Sequence, residues 1–412
     1  MDIWNKIILG INRLEEIAGY FYRVFRAAFI SSVFSWNHIR EKKNLIFEIT
    51  SPADFWNVEP IWSALRGRKN MRIYWSVLND GLTQISWPEY LEYLERQGIK
   101  RKTVMVSHVT PKVRGADLHL SPVDWSSRIP RGDIPRVQIF HYLPMKYSMH
   151  DKMLNFNALF FTGPPHLELY QWRFLRDHPG AEKRQAVFKV GYPKSDALIR
   201  RDYDIDEIKS RLGLDLSRPT VLYSPTWDKG AALRTFGSEV IKILAGLEVN
   251  VVVKLHQMSL YPPEHTHGTG GVDWRQELGR LKGDFPNVFP VFDHNCNPCL
   301  VISDVMVTDV SGIAYEYALL DRPLIFIDVP EYLRENPESD VARLRDRIGI
   351  TIKSPDELPA AVERALSTPA EFSPRRREFI DHLLYNPGRA TEVAVELIDQ
   401  FLTEGVKVGE SG

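Results

Sequence analysis

The chain has 412 residues, with Lys+Arg 52 against Asp+Glu 53, for a formal net charge of -1. That length exceeds the ~100–200 residues of an ordinary domain, so two domains of similar size are expected. Hydrophobic residues at 44% and charged residues at 25% exclude wholesale disorder, and the balanced charge argues against nucleic acid as a partner.

The stretch from Ile17 to Trp36 is rich in Phe, Tyr, Ile and Ala but is interrupted by Arg23 and Arg26. Its uncharged part, Ala27 to Ile39, is shorter than the roughly 20 residues a spanning helix needs. Glu15 and Glu16 stand where a signal peptide would be basic. The expectation is an amphipathic helical segment over residues 1–40. It either lies on a membrane surface through residues 1–36 or packs on the protein body.

Strand-like runs then alternate with helical ones. Lys43–Thr50, Arg72–Val77, Thr103–Ser107, Val137–His141 and Leu159–Gly163 read as strands, with helices over Val58–Leu65 and Tyr90–Gln97. The alternation restarts after Val187. Pro219–Tyr223, Asn250–Leu255, Val288–Phe292, Asp304–Thr308 and Leu324–Asp328 read as strands. Phe236–Leu247, Trp274–Leu281, Ser311–Leu320 and a segment beginning near Thr391 read as helices. Short apolar strands separated by helices predict parallel sheets covered on both faces. The expected fold is α/β: two Rossmann-like, doubly wound domains at residues 41–186 and 187–385 with a cleft between them, then a helix and tail at 386–412. Ligands of such sheets sit outside the carboxyl ends of the strands.

Candidate chemistry gathers at those ends. Thr308-Asp309-Val310-Ser311-Gly312 joins a strand to a helix, offering backbone N–H groups and hydroxyls to a phosphate. Glu316, about one turn on, could accept from ribose hydroxyls. Ser224 and Thr226 offer hydroxyls at another strand exit, and Lys254-Leu255-His256 puts a cation and an imidazole at a third. In the first half, His141 is placed to act as a general base across the cleft, with Lys146 as a positive anchor. Each of these also has a plain structural reading as a cap, a turn or a buried polar group. Cys296 and Cys299 form one CxxC pair that, even with His294, falls short of four zinc ligands. With no other cysteine there is no disulfide framework, and a reducing, cytoplasmic compartment fits. Asp202, Asp204 and Asp206 precede a helix and suit its N-terminus better than a metal. No metal or cofactor is expected.

The order of motifs resembles the CDP-glycerol glycerophosphotransferase family, the teichoic-acid-type polymerases and primases with a GT-B fold. The residues that carry the likeness are Gly191-Tyr192-Pro193-Lys194-Ser195-Asp196, Tyr223-Ser224-Pro225-Thr226-Trp227, Leu255-His256, and Thr308-Asp309-Val310-Ser311 with Glu316. Ala318 to Pro323 and Gly388-Arg389-Ala390 continue it. The family's first histidine and following lysine fall on His141 and Lys146, and Asp196 closes the first motif. Departures are Asp228 where an arginine is usual, with Lys229 as its substitute, Gln257 after the histidine, Gly312, Glu316 and Tyr142. The resemblance implies transfer of glycerol phosphate or a similar polyol phosphate from a CDP-linked donor to a hydroxyl of a cell-surface glycopolymer or its lipid-linked precursor, with release of CMP, in the cytoplasm or on the inner face of the cell membrane. The Ser-Gly turn with a later Glu is also similar to donor sites of UDP-GlcNAc 2-epimerases and GT-B sugar transferases. A non-catalytic nucleotide- or glycan-binding module is the third alternative.

Overall fold

The computed structural model describes residues 24–77, 86–106, 113–123, 134–143, 149, 151–260, 270–336 and 345–407. Two parallel sheets organise them. The first contains β1 (Lys43–Ile49), β2 (Met71–Val77), β3 (Val104–Val106), β4 (Leu118–Ser121), β5 (Arg136–Ile139), β6 (Ala158–Phe161) and β7 (Ala186–Lys189), in the order β3-β2-β1-β4-β5-β6-β7. The second contains β8 (Thr220–Tyr223), β9 (Asn250–Val253), β10 (Val288–Pro290), β11 (Val305–Thr308), β12 (Leu324–Ile327) and β13 (Ile350–Ile352), in the order β10-β9-β8-β11-β12-β13. Both are doubly wound. Strand order reverses between β1 and β4 and again between β8 and β11, which opens a crevice at each switch point.

The strands form because their side chains are buried on both faces. Every residue of β8, β9, β11 and β12 is buried. Connections begin with strong caps. Ser51 and Asp54 make a reciprocal capping box at the start of the helix Pro52–Leu65, and Ser86 and Glu89 do the same for Trp87–Arg96. Asp204 caps Ile205–Leu212 by accepting from the Glu207 N–H at 2.9 Å, so that aspartate of the acidic run serves a helix. The segment read as a helix over Phe236–Leu247 is helical over Glu239–Ala245, and a separate short helix, Ala232–Phe236, precedes it.

Two boundaries differ from the sequence reading. β7 pairs with β6 along its whole length, so the first sheet runs through Lys189 and the expected boundary at 186 cuts into a strand. The last helix, Ala390–Glu404, does not stand apart. It returns to the first domain, where Ala394, Ile398 and Phe401 join Leu45, Phe47 and Phe160 in one core. Phe401 lies 5.2 Å from Phe188, ring to ring, and Arg68 pairs with Asp399 at 2.6 Å. Each apolar side chain so buried contributes about 1.5–3 kcal/mol. The chain therefore crosses between domains twice, at 190–195 and at 383–390.

The second crossing is packed tightly. A Cβ on Gly163 would sit 1.7 Å from the Leu383 carbonyl oxygen, and the Tyr385 N–H donates to Thr162 O at 2.9 Å. Residues 24–39 are helical, and no helix among the described residues is long and apolar enough to cross a membrane. Ala27, Ile30 and Phe34 pack against Ile46 and Met105, while Phe25, Phe29, Trp36 and Ile39 are exposed. Apolar side chains thus occupy both faces of this helix instead of one. Residues 1–23, which carry the rest of the expected amphipathic segment, lie outside the described residues.

Candidate active site

The strand exits of β8, β9 and β11 converge at the second switch point. The Ser224 hydroxyl donates to Lys254 O at 2.7 Å, and the Thr308 hydroxyl donates to Ser224 O at 2.7 Å. These two hydroxyls stitch the strand ends to one another, so they shape the site rather than meet a ligand. Asp309 is likewise engaged internally. Its carboxylate accepts from the N–H groups of Thr226 at 2.8 Å and Ala232 at 3.0 Å, and from the Thr226 hydroxyl. Burial raises its pKa, and those hydrogen bonds oppose the shift. Asp309 is the anchor of the loop 225–232, and an acid there would repel a phosphate. Lys254 is buried as well. Its ammonium donates to Leu255 O at 3.3 Å, and burial lowers its pKa.

Four expected donor residues, Ser224, Thr308, Asp309 and Lys254, therefore form the floor of the site, with Thr226 tied to it. Above them, Ser311 is half-buried and Gly312 exposed, at the entrance to a helix that spans only Ile313–Ala318. That helix is shorter than expected, so local N–H groups rather than a long macrodipole are what it offers a phosphate. His256 is exposed beside them, its ring stacked on Trp227 with centroids 6.0 Å apart. The Met258 N–H donates to His256 Nδ1 at 3.2 Å. In the neutral ring the proton is then on Nε2, which makes His256 a hydrogen-bond donor.

His141 has the opposite arrangement. Its Nδ1 lies 2.7 Å from the Pro122 carbonyl oxygen, which can only accept, so Nδ1 carries the proton and Nε2 is the basic nitrogen. Next to it, His166 is fully buried against Phe140, with ring centroids 4.0 Å apart. Burial, then the neighbouring His141, pushes the His166 pKa down to about 3.

The crossing segment ties the two halves together. The Tyr192 hydroxyl shares its one proton between two acceptors, Asn57 Oδ1 at 3.1 Å and the His141 carbonyl at 3.2 Å. Two residues on, Lys194 Nζ lies 2.8 Å from Glu316 Oε2 and 3.2 Å from Cys296 Sγ. Burial opposes the charge on Lys194, yet Cys296 and Glu316 outweigh it and hold the pKa well above the ordinary lysine value. Glu316 is thus buried as half of an ion pair. On the other side, Gln257 Nε2 donates to Ser51 Oγ at 3.4 Å, and Tyr93 meets the His294 ring edge-on at 5.2 Å. His256 and Glu316 are in this way held close to the first domain.

Two secondary candidates have other duties. Asp196 accepts from the N–H groups of Ala390 at 3.1 Å and Thr391 at 2.7 Å, so it caps the returning helix. Lys229 is exposed and pairs with Glu335 at 3.4 Å. Lys146 lies outside the described residues. Among the described residues no cluster of three or more His, Cys, Asp or Glu side chains could hold a metal ion. Lys194 and Cys296 were not singled out as site residues by the sequence. The signal for Lys194 was present, since it stands in the Gly191–Asp196 motif where the chain changes domains.

Two doubly wound domains with a polar cleft at their strand exits define a GT-B fold, and comparison with solved structures agrees. The structure is similar to that of the wall teichoic acid polymerase TagF, with a TM-score of 0.65 at 16% identity, covering 94% of this chain and 98% of that one. It is also similar to UDP-GlcNAc 2-epimerase from Neisseria meningitidis, with a TM-score of 0.56 at 12% identity, covering 87% and 100%. Residues 178–400 match the family model for CDP-Glycerol:Poly(glycerophosphate) glycerophosphotransferase, and the chain belongs to that family. A teichoic acid glycerol-phosphate transferase of Staphylococcus aureus is 21% identical over 295 residues, which are 66% of this chain and 69% of that protein. A teichoic acid poly(glycerol phosphate) polymerase of Staphylococcus epidermidis is 26% identical over 160 residues, 36% of this chain and 20% of the polymerase. Against that polymerase the chain matches about a fifth of the partner's length.

Proposed function

We propose that the protein transfers glycerol phosphate from CDP-glycerol to a hydroxyl of a teichoic-acid-type glycopolymer or its lipid-linked precursor. The observation that carries this reading is the pair of oppositely hydrogen-bonded histidines on the two sides of the cleft. His141 Nε2 takes the proton of the acceptor hydroxyl as its oxygen attacks the β-phosphorus. The bond from that phosphorus to the bridging oxygen breaks, and CMP leaves. His256 Nε2–H, with Ser311 and the N–H groups about Gly312, stabilises the charge on the departing phosphate. Glu316, oriented by Lys194, receives the ribose hydroxyls. The family match and the transferase and polymerase names of its relatives support the donor. No step calls on a metal.

A second reading, transfer or epimerisation of a nucleotide sugar, is favoured by the likeness to the epimerase and by the Ser311-Gly312 turn with Glu316. Thermal unfolding with CDP-glycerol, CMP, UDP and UDP-GlcNAc separates the two. A ligand at ~100 times its dissociation constant adds about 2.7 kcal/mol to the folded state. Stabilisation by CDP-glycerol and CMP alone is expected, and stabilisation by the UDP compounds alone would replace this reading with the second. Action at the inner face of the cell membrane belongs to the same proposal. It is supported by the exposed Phe25, Phe29, Trp36 and Ile39 of helix 24–39.

A further inference from the structure

The loop that carries the assigned base is seated on the other domain. His141 lies past the end of β5, whose ladder with β6 stops at Ile139. Two residues further on, Leu143 is buried in the core of the second domain, together with Tyr192, Tyr223 and Leu255. The His141 ring is held at Nδ1 by the Pro122 carbonyl, at the exit of β4. The Tyr192 hydroxyl adds a tie at the main chain, through the His141 carbonyl.

Tyr192 itself has little room to move. Gly191 before it has a φ of 102°, and a Cβ there would sit 2.2 Å from the Tyr385 carbonyl oxygen. After it, the Ser195 N–H and hydroxyl both donate to Tyr192 O, at 2.9 Å and 2.7 Å. Burial raises the Tyr192 pKa well above its ordinary value and Glu316 adds to the shift, so the hydroxyl keeps its proton and stays a donor. Two residues on, Lys194 holds Glu316, and Lys194 Nζ lies 6.0 Å from the Tyr192 ring centroid. One short, fixed stretch of chain therefore touches both the assigned base and the assigned ribose acceptor.

We infer that Tyr192 is a positioning residue whose hydroxyl sets the His141 ring in register with a donor held at Glu316. The inference rests on the proposed transfer chemistry and adds to it a residue that acts through the base. Proton removal in step with attack needs such register, because reacting atoms must meet within about 3–3.5 Å.

The test begins with Tyr192→Phe, which removes the hydroxyl and keeps the ring. With CDP-glycerol and a glycerol-phosphate-primed acceptor, kcat should fall about tenfold, between the cost of one hydrogen bond and that of a displaced catalytic group. KM for CDP-glycerol should be unchanged. In a His141→Ala background the same substitution should cost nothing further, because the ring it acts through is missing. Asn57→Ala leaves the shared proton wholly to the His141 carbonyl and should keep kcat near that of the unchanged protein. An unchanged kcat in Tyr192→Phe, a rise in KM alone, or an equal fall in the His141→Ala background would overturn the inference. So would a loss of turnover in folded Asn57→Ala as large as that in Tyr192→Phe.

A readout without substrate separates this inference from the transferase reading. In protein with isotope-labelled histidine, the His141 Nδ1–H resonance is identified by its loss in His141→Ala. It should exchange with water faster in Tyr192→Phe, while the His256 signals stay in place. An unmoved His141 signal would overturn the inference whatever the turnover. A moved signal in a protein that releases no CMP from CDP-glycerol would count against the transferase reading and leave the hold of Tyr192 on His141 standing.

Discussion

His141 and His256 are both strand-exit histidines, yet the backbone gives them opposite protonation patterns. Pro122 O fixes the proton of one ring on Nδ1, and the Met258 N–H fixes that of the other on Nε2. A base and a donor are what in-line transfer between two oxygens requires. Replacing either with alanine should lower kcat by about a hundredfold or more while the unfolding temperature stays near that of the unchanged protein. Turnover within a few-fold of the unchanged protein would remove the residue from its role. Asp309 should behave differently. Asp309→Ala leaves the buried N–H groups of Thr226 and Ala232 without their acceptor, which costs about 3 kcal/mol of stability, measurable by urea unfolding. A loss under about 0.5 kcal/mol, well below the cost of one buried unsatisfied group, would contradict its anchoring part. The sequence placed Asp309, Ser224, Thr308 and Lys254 correctly at strand exits. It could not tell which way they face, because a side chain turned into the floor and one turned into the cleft share the same position in the motif.

At the scale of elements, the apolar strands were legible and those of mixed or polar composition were not. β8, β9, β11 and β12 announce themselves as apolar runs between polar loops. β4 reads Leu-His-Leu-Ser, and its polar side chains are buried by the rest of the fold, a context that one segment does not carry. β7 and β13 are short edge strands with mixed composition. The return of the last helix to the first domain was also illegible, since it depends on contacts between Phe401 and rings more than 200 residues earlier. That crossing offers a direct check. Gly163→Ala drives a methyl group into the Leu383 carbonyl oxygen, and the backbone must move. A loss of about 3 kcal/mol is expected, at the upper end of ordinary overpacking. A neutral substitution would mean that the 383–390 crossing is not packed as described.

The helix that opens at Pro164 carries a second check, in pH. The folded pKa of His166, about 3, lies below the ordinary value of 6.5, so between them the unfolded chain binds the extra proton. Stability contributed by neutral His166 is complete above pH 6.5 and is lost as pH falls toward 3. From pH 6.5 to 5 the loss attributable to this residue is about 2 kcal/mol. Urea unfolding at the two pH values, compared with His166→Phe, isolates it. A variant with the same pH dependence as the unchanged protein would show that His166 is not the group responsible.

Across the whole molecule, the crossing segment joins both domains, through Tyr192 to His141 and Lys194 to Glu316, and the domains meet directly through Gln257 to Ser51 and Tyr93 to His294. In the proposed chemistry they set His141, the assigned base on one domain, against His256 and Ser311, the groups assigned to the phosphate on the other. The fold class and the order of motifs could be read from the chain, because strand exits and their polar turns recur along it. The pairing of Lys194 with Glu316 could not, because it joins residues more than 100 positions apart. The most direct measurement is product analysis of CDP-glycerol incubated with the protein and a glycerol-phosphate-primed acceptor. The proposed chemistry predicts CMP and transferred glycerol phosphate in equal amounts, both lost in His141→Ala and His256→Ala. Turnover of UDP-GlcNAc with no release of CMP from CDP-glycerol would contradict it.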